Sequence, residues 1–405
     1  MLNAGFLVAA ATALAACGNS SVTGPSEPEP TATVDDVLGG DSAEVAASLG
    51  ISEQELRGLD RDKISEMLKI LQGGLIFHFE RFRGNGRTCA TCHRGAAFDL
   101  KPEDVQELHA RRPNDPLFLH DGSDDGLGNG TTRIQQNATI RVDFNLPANV
   151  TIVENPSLRQ VTLMRAVPSL LNVPALETIF MLDGRQPTLQ AQALGAVNDH
   201  AQAERQPTAG ELDAIAIFQE KDPHFFSSPV LREFANGGPA PVLPEGNTDS
   251  ERRGRAFFEP DTACGSCHGG PMLNETTAGN IGTKLGFGNG VRVRNIRVPI
   301  DNVAGLPQWT YRCVSPTGAV TTSKTADPGL VLTNGNCGDM NHFRISTLWG
   351  INESAPYFHN NSAKTLEEVM DQYDRFFNIL VTARGLDIRL TREQRADILA
   401  YMRLL

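Results

Sequence analysis

Aromatic side chains are scarce in this chain: they make up 6% of its 405 residues, with two tryptophans and four tyrosines. Basic residues are outnumbered, 36 Lys and Arg against 48 Asp and Glu, for a formal net charge of −12. That acidity argues against nucleic acid as a partner; it suits a basic protein partner or simply a well-solvated surface. The apolar run Gly5–Ala16 falls short of the roughly 20 residues a spanning helix needs. A hydrophobic content of 40% with 21% charged residues excludes a disordered chain and a membrane-embedded one. Length is not lacking: 405 residues are ample for a buried core and suggest two or three domains.

Cysteine is sparse as well, seven in all, and five of the seven have a distinctive setting. Cys89-Ala90-Thr91-Cys92-His93 is a CxxCH pentapeptide, and it returns as Cys264-Gly265-Ser266-Cys267-His268. Two thiols three positions apart can each add to one vinyl group of the same porphyrin. The following histidine then reaches the iron from the face the peptide already occupies. Two covalent haem c groups are therefore expected, with His93 and His268 as proximal metal ligands. The alternative is a four-cysteine zinc site made from both CxxC pairs, which leaves the two trailing histidines unexplained.

Met1–Cys17 reads as an export signal, with a short apolar run ending in small residues. Leu14-Ala15-Ala16-Cys17 resembles the lipobox of bacterial lipoproteins, although no Lys or Arg precedes the apolar run. By that resemblance Cys17 is lipidated, and Gly18 after it resembles an outer-membrane signal, so the expected location is the periplasm with a lipid anchor. Ser21–Pro30 is rich in Pro, Ser and Glu and reads as a tether. Removing four haem thiols and Cys17 leaves Cys313 and Cys337, which an oxidising compartment would pair.

Hydrophobic spacing predicts a helix from Asp60 through Phe79, followed by the Gly84-Asn85-Gly86 turn and the first CxxCH. A shorter copy precedes the second: the Thr248–Glu251 capping box, Gly254, Phe257 and Phe258. The chain is expected to be mainly α, with two c-type cytochrome domains, each with one covalent haem, and little β. The boundaries drawn are 1–17 signal, 18–45 tether, 46–240 N-terminal haem domain with an insertion at 100–163, and 241–405 C-terminal haem domain. Within the insertion, Lys101–Pro113 suggests a short helix. Asp121–Gly130 reads as a solvated loop whose repeat does not match a calcium-binding EF-hand, and Ala138–Phe144 alternates as a strand. Helices are expected near Thr188–His200, from Thr208 through Phe218, and after Thr365 and Thr391.

Phe343-Arg344-Ile345-Ser346, Ala355-Pro356-Tyr357-Phe358-His359-Asn360 and Thr365-Leu366-Glu367-Glu368-Val369 resemble the C-terminal signature of bacterial dihaem cytochrome c peroxidases and the related MauG enzymes. Arg165–Asn172 and Asp183-Gly184-Arg185 look like segments these proteins carry after the first haem. The resemblance runs in order from about Gly73 to Leu405. It implies hydrogen peroxide as substrate at the N-terminal haem, with a small periplasmic electron-donor protein feeding electrons through the C-terminal one. Reducing one peroxide takes two electrons, and each iron holds one.

The resemblance also places Tyr373 where the second haem's distal ligand sits, with Met370 one turn earlier as its rival. The peroxidases carry Met there and MauG-type proteins Tyr, an anionic oxygen that stabilises the oxidised iron. Met272 and Met340 are weaker candidates. Over the first haem the family places a glutamate; counting along this chain puts Gln202 there, flanked by His200 and Glu204. Glutamine cannot shuttle a proton, whereas histidine or glutamate can, and His200 is alternatively an iron ligand or a surface residue. His109 and His120 are further candidate sixth ligands or ordinary loop histidines. The family's inter-haem tryptophan is replaced by Leu182. The side chain offered to an inter-haem calcium is replaced by Ala166, leaving only carbonyls at Ser354 and Pro356, so calcium is doubtful. Rival functions are a non-catalytic dihaem electron carrier and a MauG-like oxidase.

Overall fold

In the computed structural model, residues 43, 46, 51–58, 60–284, 286, 288–295, 306–384 and 388–405 are described. The expected signal, Cys17 and the Ser21–Pro30 tether lie outside the described residues. Helix outweighs strand, about 41% to 13%, as the long periodic segments demand.

The same crossing of two helices is built twice. Arg61–Phe79, capped by Asp60, crosses Ala209–Lys221, capped by Thr208. Gly73 makes that crossing possible, because a Cβ there would lie 1.9 Å from the Ala214 carbonyl oxygen. In the second half Asp249–Arg255 crosses Arg392–Met402, and a Cβ on Gly254 would lie 2.1 Å from the Asp397 carbonyl oxygen. Each crossing is sealed by aromatic packing: Phe77, Phe218 and Phe225 in the first half, Phe258 against Tyr401 in the second. The helices expected from Lys101, Thr188 and Thr365 are found at Pro102–Arg111, Leu189–Asp199 and Leu366–Arg384.

The strand expected at Ala138–Phe144 is found at Thr139–Asn145, and it belongs to a larger β module whose other strands hydrophobic periodicity did not announce. Thr139–Asn145 pairs antiparallel with Gln160–Ala166. Val150–Ile152 pairs with Tyr311–Cys313, and Trp309–Val314 turns back onto Val320–Thr325. One three-stranded sheet thus draws strands from both sides of the expected domain boundary at 240/241. Phe144, Ile152, Val161, Leu163, Tyr311 and Val331 fill its core. Cys313 and Cys337 are joined there, Cα to Cα 5.5 Å. Closing a loop of this length restrains the unfolded chain by about 3 kcal/mol. Replacing both cysteines by alanine is expected to lower the unfolding free energy by that much, read by denaturant titration, while leaving visible-region haem spectra alone.

A buried ion cluster ties this module to the helical halves. Arg165, at the end of its strand, bonds Asp183 at 2.6 Å and Asp327 at 2.8 Å. Arg185 adds a bond of 2.9 Å to Asp183, and His359 stands 3.7 Å from Asp327. Both guanidinium groups also lie over the Phe144 ring, 4.6 and 5.3 Å from its centroid.

Candidate functional site: two facing cavities

Each CxxC segment forms a single helical turn in which the histidine N–H donates to the first cysteine's carbonyl, at 3.0 Å for His93 and 2.8 Å for His268. The chain then folds back on itself, pairing Arg94 with Asp99 and Gly269 with Glu275. The residue five beyond each histidine takes a positive φ, 49° at Phe98 and 52° at Leu273. This turns its carbonyl onto the imidazole: Nδ1 of His93 is 2.7 Å from the Phe98 oxygen, and Nδ1 of His268 is 2.9 Å from the Leu273 oxygen. Such a bond places the proton on Nδ1 and leaves Nε2 as the metal-binding lone pair. Burial lowers both imidazoles, His93 to about 4, so both are neutral at pH 7.

Each unit lines its own cavity, of about 140 Å³ beside Cys89, Cys92 and His93 and about 230 Å³ beside Cys264, Cys267 and His268. Protein interiors are otherwise close-packed, so apolar voids of this size beside a thiol pair suit a large apolar group. Burial pushes the thiols up, to about 12 for Cys89 and Cys264 and about 11 for Cys92 and Cys267. These surroundings favour a neutral thioether and oppose the thiolates that a zinc site requires. The two cysteine pairs also line different cavities, and among the described residues no group of three or more His, Cys, Asp or Glu could hold a metal ion. The four-cysteine zinc alternative is therefore set aside.

Pro168, Ser169, Val173, Leu182 and Arg344 border both cavities, so the two share a wall. Arg344 is 6% exposed, lies 3.5 Å from Glu177, and has no hydrogen-bond partner at Nε or Nη1. A buried cation with unmade bonds wants an anion. Haem, a flat apolar ring carrying two carboxylates, matches walls, thiols, imidazoles and guanidinium alike. The residues fit the group.

Across the second cavity, the Tyr373 hydroxyl stands 3.2 Å from His268 Nε2. Tyr373 and Met370 both lie on the Leu366–Arg384 helix and line this cavity, but only the tyrosine oxygen meets the imidazole. Burial raises its phenol above the ordinary range. Met272 and Met340 are buried elsewhere; Met340 packs beside the disulfide.

At the first cavity His200 is the only one of the three sequence candidates on the wall. Its Nδ1 lies 2.7 Å from Asp121 Oδ2. Gln202 and Glu204 are exposed and border neither cavity. The helix ends at Asp199, and Gln202 adopts φ 51°, which turns the chain away from the cavity before either side chain can enter. His109 and His120 do not reach it either: His109 packs edge-on against Phe118, and His120 opens a short 3-10 turn. Asp121, next to His120, is the residue sequence reasoning passed over. Arg87 is another, 2% exposed and ion-paired with Asp121.

Ser354 and Pro356 line the second cavity while Ala166 lines the first. In the 121–130 loop Asp124 and Asp125 cap backbone amides, and the Arg133 guanidinium donates to the carbonyls of Asp121, Gly122 and Ser123.

No family model matches the chain. A curated relative does: cytochrome-c peroxidase IdrP1 of Pseudomonas sp. (strain SCT), 25% identical over 193 residues, 47% of this chain and 47% of the relative. This chain is similar to a cytochrome c peroxidase. It spans about half the length of the curated relative it matches. Among solved structures, the chain is similar to a MauG-like protein associated with microbial copper homeostasis, at 18% identity and TM-score 0.47, covering 82% of this chain and 88% of that one. It is also similar to the dihaem peroxidase BthA from Burkholderia thailandensis E264, at 16% identity and TM-score 0.42, covering 83% and 85%.

Proposed function

We propose that the chain is a dihaem c-type oxidoreductase that reduces hydrogen peroxide at the N-terminal haem with electrons relayed by the C-terminal haem. The observation that carries this is the inequality of the two cavities. One imidazole, His268, is met by a phenol oxygen 3.2 Å away. The other, His93, has no such partner among the described residues, and its cavity wall presents His200, a proton-carrying side chain anchored by a carboxylate.

Haem, when bound, supplies the redox chemistry of H2O2 + 2 e− + 2 H+ → 2 H2O, one electron from each iron. The chain's residues do the rest. Cys89, Cys92, Cys264 and Cys267 would attach the groups, and His93 and His268 would bind their irons. Tyr373, whose hydroxyl stands 3.2 Å from His268 Nε2, would be a further ligand of the second group and shut it to small molecules. His200 accepts a proton at Nε2 and returns it. In this reading a small donor protein supplies electrons in the periplasm, where Cys17 tethers the chain. A MauG-like oxidase is the second reading, favoured by an oxygen rather than a sulfur beside His268; Leu182 in the shared wall opposes a tryptophan-relayed radical.

Half-reduced holoprotein mixed with H2O2 tests the proposal. A high-spin first haem whose Soret band shifts within the mixing experiment is expected. Two low-spin, peroxide-inert haems would establish an electron carrier instead. Tyr373→Phe is expected to alter the spectrum of the second haem only, and an unchanged spectrum would remove the tyrosine from that role.

A further inference from the structure

The insertion at 100–163 has no part in attaching either haem, yet it reaches into the first cavity's wall. Arg87, two residues before Cys89, is the point of attachment. Its Nε donates to the Pro116 carbonyl at 2.9 Å, and Nη2 to those of Leu117 and Leu119 at 3.2 and 2.5 Å. Nη1 donates to the His200 carbonyl at 3.2 Å and pairs with Asp121 Oδ1. The other oxygen of Asp121 faces His200 Nδ1 at 2.7 Å. Asn85 adds a bond of 2.9 Å to the same His200 carbonyl. A fully engaged guanidinium therefore orients a carboxylate, and the carboxylate orients an imidazole on the cavity wall.

We propose that Asp121, held by Arg87, is a positioning residue that fixes His200 as the proton acceptor of the first haem site. The carboxylate takes the Nδ1 proton as a hydrogen bond. The lone pair is thereby left on Nε2, the ring nitrogen free to serve the cavity. A peroxide there loses a proton from one oxygen to Nε2 and regains it on the departing oxygen, so His200 ends as it began. The two electrons come from the haems and the two net protons from solvent. The insertion thus contributes the carboxylate of an Asp–His pair whose imidazole comes from outside it. Asp121 lies below the usual carboxylate range: burial alone would raise it, and the bonds from His200 and Arg87 outweigh that.

The inference rests on the peroxide reading of this cavity, and cyanide separates the two. HCN must give up its proton to bind ferric haem, so its capture rate, read from the Soret shift of the holoprotein, reports the acceptor without turnover. His200→Ala is expected to slow capture about 100-fold, within the range of a lost acid–base group. Asp121→Asn is expected to slow it roughly 10- to 100-fold, as loss of an orienting partner does, with Asp121→Glu restoring most of the rate. If Asp121→Asn fails to fold because Arg87 loses its partner, the Arg87→Gln/Asp121→Asn double variant removes both charges and is expected to show the same slowing. Slowing in His200→Ala alone overturns the role of Asp121 while leaving the peroxide reading intact. No slowing in either overturns both residues' roles. A low-spin first haem that becomes high-spin in His200→Ala makes His200 an iron ligand and also overturns the proposal. A wild-type protein inert to both cyanide and peroxide removes the peroxide reading itself.

Discussion

Two haems are expected to remain on the chain after denaturation in SDS, and Cys264→Ser/Cys267→Ser is expected to keep one. The measurement is intact mass together with peroxidase staining of the denatured band, from cells that mature c-type cytochromes. The prediction is sharp because the two attachment units do not share residues: Cys89 and Cys92 line one cavity, Cys264 and Cys267 the other. The pair variant should also disturb folding in its own half, because the cavity beside His268 lies against the cluster that includes Phe258, Leu273, Met370 and Tyr401. Unfilled, that void costs the contacts its walls were shaped to make. A zinc-bearing, haem-free product would defeat the whole assignment, and the raised thiols argue against one.

The second large effect is expected at the ion cluster. Removing one partner of a buried pair costs about 3–5 kcal/mol, because it strands the other charge without water. Asp327→Ala removes two bonds of the buried Arg165 guanidinium, at 2.8 and 3.1 Å, and leaves Arg165 and Arg185 to share Asp183 as their one carboxylate in the cluster. The loss of Asp327 is expected to lower the unfolding free energy by that amount, read by denaturant titration. Burial by itself would raise both Asp183 and Asp327, but Arg165 outweighs it and holds them below the usual carboxylate range. The folded protein therefore binds these protons less tightly than the unfolded chain. Stability from the cluster is complete above the unfolded value near pH 4 and is lost as pH falls through the lower folded values. An acid-unfolding curve of Asp327→Ala should accordingly be flatter below pH 4 than that of the wild type.

Local features of this protein were legible from residues alone. Capping boxes at Thr208, Thr248 and Thr391 start helices within a residue of where the pattern places them. The CxxCH pentapeptides lie beside cavities, and Tyr373 faces His268 because one helix, Leu366–Arg384, carries it there. What escaped reading is nonlocal. Val150–Ile152 finds its partner strand more than 150 positions away, and alternation over three residues carries no such address. Asp121 and Arg87 meet across 34 positions and both then touch His200; no periodicity links them. Gln202 and Glu204 were placed by counting along the chain, which assumes a regular path, and the left-handed turn at Gln202 breaks it.

The matching carbonyl bonds to His93 and His268 carry a consequence for redox tuning. Each imidazole is oriented by a main-chain oxygen five residues on, at 2.7 and 2.9 Å. Main-chain acceptors persist through side-chain substitution, so with haem bound as proposed the electron-donating strength delivered through the two imidazoles would be nearly the same for both irons and insulated from mutational drift. On that proposal a difference in midpoint potential between them would be set by Tyr373 in one cavity and His200 in the other, and by the charges in the wall they share. One half of the molecule can thus be retuned by a single distal substitution while its attachment loop stays untouched.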